Sequence, residues 1–190
     1  MAHASAEMPY FINPSVNLSR QEKIIAYDQV VYQLSALLQP ETDVILKMSS
    51  INCLLKSHLP YYYWVGFYLV ANDLLMVGPY QGTLGCLHIN MGQGVCGRVA
   101  ASRSTIIVDD VHALTQGEEH IACDPNSQSE IVLPVIDHND RLIAVFDVDS
   151  SIKSSFDDID QTYLEQILKE HFAGTPLTSI LSNTQYEAHI

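Results

Sequence analysis

The chain has 190 residues, with 22 acidic against 9 basic side chains, a formal charge of -13, and a 47% hydrophobic against a 16% charged fraction. That balance is too apolar for a disordered chain, and the length suits one domain with a sizeable core and not two. The acidic excess opposes contact with phosphate backbones and anionic lipid, which call for clustered Lys and Arg, so neither nucleic acid nor a membrane surface is an expected partner.

Residues 1–18 carry Pro9, Pro14 and scattered polar residues without a helical or strand period, and read as a loosely ordered lead-in. They lack the basic start and apolar run of a secretory signal, and no stretch reaches the ~18 apolar residues a spanning helix needs. The cytoplasm is therefore the expected compartment, where cysteines tend to be free, metal-bound or catalytic. Ser19 with Glu22 forms a capping box ahead of Ile24, Ile25, Tyr27, Val31, Leu34 and Leu38 at helical spacing. Pro40 ends that helix and suits the first turn of a second, over Glu41 to about Leu59. There Val44, Ile45, Met48, Ile51, Leu54 and Leu55 line one apolar side with Cys53 among them.

The period then becomes extended. Tyr62–Val70 and Leu74–Tyr80 read as a β-hairpin around Ala71-Asn72-Asp73, with a third strand over Leu84–Ile89. Glycines at 92 and 94 lead into a short helix, Val95–Ser102, with Cys96 near its start, followed by a brief strand at Thr105–Val108. Residues 112–129 form a long polar connection carrying His120 and Cys123, a length commonly associated with function. Strands Glu130–Ile136 and Arg141–Asp147 flank an Asp137-His138-Asn139-Asp140 turn, and a last helix runs from Asp157 to about Phe172. The expected fold class is α+β, helices packed on a mostly antiparallel sheet, with one domain over 19–172 and a polar tail over 173–190.

Within this frame Trp64-Val65-Gly66-Phe67-Tyr68, Gly78-Pro79-Tyr80-Gln81-Gly82, Gly92-Gln93-Gly94-Val95-Cys96-Gly97, His120-Ile121-Ala122-Cys123-Asp124, Ser129-Glu130-Ile131-Val132-Leu133-Pro134 and Asp147-Val148-Asp149-Ser150 stand in order. Together these six segments resemble the free methionine-(R)-sulfoxide reductases, which are single GAF domains. The resemblance spans roughly residues 20–172. It implies an enzyme that reduces the R epimer of free methionine sulfoxide, with Cys123 as nucleophile, Cys86 as resolving thiol and Cys96 as an auxiliary or alternative one. It also implies that Glu130, Asp147 and Asp149 grip the substrate, that Trp64 and Tyr68 form its aromatic wall, that thioredoxin recycles the enzyme and that the protein is a homodimer. The chain departs from the family's usual pattern at Glu119, at Tyr80 and at Tyr61-Tyr62-Tyr63.

The residues support part of this on their own chemistry. Sulfoxide reduction needs a low-pKa thiol, a proton donor and a second thiol. Cys123 lies in a polar loop with His120 three residues earlier, and Glu130 at the start of an apolar strand is a candidate acid whose pKa burial and neighbouring carboxylates would raise. Asp147 and Asp149 alternate along a strand, share a face and favour a cation, to which Trp64 and Tyr68 add cation–π attraction. A peptide lacks that charged amine, so a free amino acid is expected, with main-chain amides suggested for its carboxylate.

Structural readings stand beside these. Cys53 reads as an inert small hydrophobe, Cys96 as filler of a tight helix start, Cys86 in a strand as core, and Trp64 and Tyr68 as core aromatics. His120 with Cys123 lacks the second close pair of a zinc site, and Gly92–Gly97 lacks the Lys and Ser or Thr of a phosphate loop, so neither metal nor cofactor is expected. The functional alternatives are a noncatalytic GAF sensor of small ligands or oxidation, and a thiol-peroxidase-like activity that would not require Asp147 and Asp149.

Overall fold

The first helix, α1 (Arg20–Leu38), begins where Ser19 caps it, and Glu22 completes the capping box by accepting from the Ser19 backbone N–H at 2.8 Å. The structure, a computed structural model, describes residues 16–39, 41–114 and 124–173. The expectations for Pro40, His120 and Cys123, most of the lead-in and nearly all of the tail lie outside the described residues.

The buried stripe of α1 is Lys23, Ala26, Tyr27, Val30, Leu34 and Leu38, whereas Ile25 is half exposed, so the helix is rotated from the expected apolar face. The cause is Lys23. Its ammonium reaches the Ser155 carbonyl at 2.7 Å and the Asp160 carboxylate at 2.5 Å, so a charged residue occupies a core-facing position. Helix α2 (Val44–His58) starts later than expected because Asp43, not the Pro40 region, caps it by accepting from Leu46 N–H at 2.8 Å. Lys47 and Asn52 take buried positions there, bonding the His171 and Pro79 carbonyls, and Cys53 is exposed. Its expected place on the apolar side of the helix is thus corrected.

Strands β1 (Trp64–Ala71), β2 (Leu74–Gln81), β3 (His88–Asn90), β4 (Ile106–Val108), β5 (Ser129–Ile136) and β6 (Leu142–Ser150) form one sheet in the order β3-β2-β1-β6-β5-β4, every neighbouring pair antiparallel. The third strand is shorter than expected, and Cys86 falls in the loop before it. The Trp64 indole N–H donates to the Thr83 carbonyl at 3.0 Å and the Val77 N–H to the Leu87 carbonyl at 3.0 Å, which bends residues 82–87 around the indole instead of laying them out as a strand. Helix α3 (Gly94–Ser102) follows β3, and helix α4 (Asp158–Leu168) passes into a wider π turn over Lys169–Ala173, so the last α-helix ends before Phe172.

Alternation divides the sheet into two faces. Val65 and Phe67 of β1, Ile131, Leu133 and Val135 of β5, and Ala144, Phe146 and Val148 of β6 pack against α1, α2 and α4. The opposite residues, Trp64 and Tyr68, Val132, and Val145, form a second cluster with Val95, Cys96 and Val99 of α3. No described helix is long and apolar enough to cross a membrane.

Candidate active site

The register of β1, β6 and β5 builds the site on the α3 face of the sheet. Trp64 pairs with Asp149 and Asp149 with Glu130, while in the next row of that face Gly66 pairs with Asp147 and Asp147 with Val132. Side chains directly opposite on one face lie about 5 Å apart at Cβ, so three carboxylates converge beside one indole. Carboxylate oxygens of Glu130, Asp147 and Asp149 all lie within 4.8 Å of one another. A slip of one residue in β6 would turn both aspartates into the opposite core.

Trp64 is held flat in this row by its neighbours. Tyr68 stacks against it with ring centroids 5.7 Å apart and Tyr80 with centroids 5.3 Å apart. A Cβ at residue 66 would stand 2.6 Å from the indole, and one at residue 82 also 2.6 Å, so glycine is required at both points where the chain crosses the ring; at Gly82 the φ of +140° adds the same demand.

A pocket opens between this row and the start of α3, lined by Trp64, Tyr68, Gly85, Ile89, Gln93, Gly94, Val95, Cys96, Asp124, Ser127, Glu130, Asp147 and Asp149. The structure therefore brings together Trp64, Tyr68, Cys96, Glu130, Asp147 and Asp149, with Cys86 half buried one residue beyond Gly85. Cys86 is disulfide-bonded, and among the described residues the free thiols are Cys53 and Cys96.

Burial governs the electrostatics. It pushes the Glu130 carboxyl well above the usual range, and Asp147 and Asp149 push it further, with Arg98 pulling back. Asp147 is raised in the same way by burial and by Asp149, and Asp149 itself is raised to about 6 by burial, against the pull of a hydrogen bond from the Ser127 hydroxyl. Glu130 Oε1 and Asp147 Oδ1 are buried without a hydrogen-bond partner, a cost that a donor-rich guest removes. The cluster thus suits a small cation. Burial, then Asp147 and Glu130, push the Cys96 thiol up, so it stays protonated and a poor nucleophile.

Sequence reasoning did not foresee Ser127, Gln93 or Asp124 at the site. Asp124 accepts from the Tyr63 hydroxyl at 2.7 Å, from the Thr83 hydroxyl and from the Asn126 N–H at 2.8 Å, tying the loop that carries Cys86 and the entry to β1 to the residue after Cys123. Their places in the His120–Asp124 and Gly92–Gly97 segments were local hints for Asp124 and Gln93; for Ser127 no local signal existed.

The GAF-domain family profile matches residues 62–169. The free methionine-R-sulfoxide reductase of Escherichia coli strain K12 is 35% identical over 85% of this chain and 92% of that one. Among solved structures, the reduced form of the Staphylococcus aureus enzyme is 42% identical, with TM-score 0.70 over 75% of this chain and 90% of that one. The Neisseria meningitidis free methionine-R-sulfoxide reductase, solved with its substrate, is 37% identical, with TM-score 0.73 over 82% and 92%. Matched by the GAF profile and by these relatives over most of its length, this chain belongs to the free methionine-R-sulfoxide reductase family of GAF-domain oxidoreductases.

Proposed function

We propose that this protein reduces free L-methionine-(R)-S-oxide to methionine through a cysteine sulfenic acid and an intramolecular disulfide. The observation that carries the reading is the row of Trp64, Asp149 and Glu130 with Asp147 beside it, Asp149 half-buried and the others buried. A free amino acid brings an ammonium to the carboxylates and an S-methyl group to the indole face, and a residue within a peptide brings no such ammonium.

In the proposed reaction the Cys123 thiolate attacks the sulfoxide sulfur while Glu130, kept protonated by burial, transfers its proton to the oxygen. The oxygen then passes from the substrate sulfur to Cys123 Sγ: the substrate S–O bond and the transient S–S bond break, a Cys123 S–O bond forms, methionine leaves reduced by two electrons, and Cys123 is left oxidised as a sulfenic acid. Cys86 then attacks Cys123, water departs and a disulfide forms. By likeness to the family, Cys86 is the thiol that closes this bond on Cys123; Cys86 is itself disulfide-bonded, and among the described residues Cys53 and Cys96 are free. The high pKa direction of Cys96 favours Cys86 as the principal resolving thiol and leaves Cys96 an auxiliary one. Recycling by thioredoxin, a homodimer and a cytoplasmic setting belong to the same proposal, by likeness to the family.

The test is incubation with the separated epimers of free methionine sulfoxide and dithiothreitol, with methionine measured by chromatography. Turnover of the R epimer that is lost in Cys123→Ser is expected. Equal consumption of both epimers, or turnover surviving in Cys123→Ser, would remove the proposal.

A further inference from the structure

We propose that the loop Gly82–Leu87 is the docking surface for the protein dithiol that returns electrons to the enzyme, with Leu84 and Leu87 as its apolar contacts. This rests on the disulfide cycle proposed above. Leu84 is 71% exposed and Leu87 57% exposed, and they flank the disulfide-bonded Cys86 two residues before it and one after. Large apolar side chains held in water beside a reactive sulfur call for an explanation that isolated surface leucines do not.

Their exposure is built in by the way the loop is pinned. Its near end is tied to β1 by the Trp64 indole N–H on the Thr83 carbonyl and to Asp124 by the Thr83 hydroxyl, and its far end to β2 by the Val77 N–H on the Leu87 carbonyl. The inner side is already filled: a Cβ at residue 85 would meet the Tyr68 hydroxyl at 3.0 Å. With both ends of the loop fixed and its inner side closed at Gly85, Leu84 and Leu87 stand in water.

Chemistry selects the occupant. Each sulfoxide reduced leaves one disulfide, and its return to two thiols takes two electrons and two protons from a dithiol. The first thiolate of the reductant attacks Cys86 Sγ, the enzyme's S–S bond breaks, and the other enzyme sulfur leaves as a thiolate and takes up a proton. The reductant's second thiol, giving up its proton, attacks its own sulfur in the mixed disulfide, releasing Cys86 as a thiol and leaving the reductant as a disulfide. A macromolecule must bring its sulfur in line with Cys86, and desolvated apolar contacts supply that hold. In a chain of formal charge -13 the segment Gly82-Thr83-Leu84-Gly85-Cys86-Leu87 carries no charged side chain, so it admits a partner of either sign without repulsion at the contact.

The experiment compares two reductants on the same proteins: dithiothreitol, which needs no docking surface, and thioredoxin with thioredoxin reductase and NADPH. In Leu84→Glu and Leu87→Glu the kcat/KM for thioredoxin should fall tenfold or more, while dithiothreitol-supported turnover stays within twofold of the parent. Leu84→Met with Leu87→Met should restore thioredoxin use. An unchanged thioredoxin kcat/KM, an equal loss with both reductants, or a parent that turns over with dithiothreitol and not with thioredoxin overturns the docking surface. A parent inactive with both reductants overturns the sulfoxide-reductase reading itself and this inference with it.

Discussion

Glu130 illustrates how position alone sets the chemistry of a carboxyl group. Burial and two neighbouring aspartates favour its protonated form, which is the form a general acid needs near neutral pH. Glu130→Gln should lower the single-turnover rate by about 10²–10⁴-fold, the usual range for a lost general acid, as read by quenched-flow chromatography. Asp149 makes a separate statement about pH. Its folded pKa of about 6 lies above the ordinary 3.8, so the fold favours its protonated form, and the stability this contributes is full below about pH 4 and lost as pH rises through 6. Urea denaturation of the ligand-free protein should show the parent losing more stability than Asp149→Asn between pH 4 and 7. Asp137 has the opposite sign. Burial alone would raise it, but the Arg141 side chain and the Asn139 and Arg141 amides outweigh this and hold it down to about 2, so its contribution is present above pH 4 and lost below. Asp137→Asn should flatten the acid limb of the same profile.

At the scale of elements, the aromatic wall depends on the backbone approach of β1 and the β2–loop junction. Trp64 is the chain's single tryptophan, so its fluorescence reports this wall directly. Adding methionine sulfoxide should change that emission saturably in the parent. Gly66→Ala places a Cβ 2.6 Å from the indole and 2.4 Å from the Tyr80 Cβ, and should shift the emission and raise KM. An unaltered spectrum and KM would show that the ring is not held as described. Elements were legible to different depths in the sequence. The capping box of α1 and the shared face of Asp147 and Asp149 follow from local spacing, and both are found. The faces of α1 and α2 were misjudged because Lys23, Lys47 and Asn52 are buried by bonds to residues far along the chain, which no helical period reveals. The loop at Cys86 read as strand for a related reason: its bend is imposed by Trp64, nineteen residues before Thr83.

On the scale of the whole molecule, the face away from the site is braced by a buried polar knot. Asp160 is fully buried and accepts from Lys23, from the Tyr27 hydroxyl at 2.7 Å and from the Tyr61 hydroxyl at 2.5 Å, linking α1, α4 and the entry to β1. Lys23→Met leaves that carboxylate without its cation, and a loss of about 3–5 kcal/mol in urea unfolding is expected, the usual cost of breaking a buried pair. The KM for sulfoxide should hold, because the knot lies on the opposite side of the sheet.

What the sequence determined by itself was local: the extent of most helices and strands, the alternation that puts Trp64 with Tyr68 and Asp147 with Asp149 on common faces, and the residue types the chemistry needs. Those follow from periods of 3.6 and 2 within a few residues. Only the tertiary structure decided that Glu130 meets Asp149 and that Asp149 meets Trp64, because antiparallel register joins positions 19 and 85 residues apart and no local propensity specifies it. It also decided the protonation of the cluster, since a carboxyl pKa is set by how much water the assembled fold removes and by which charges the fold brings near.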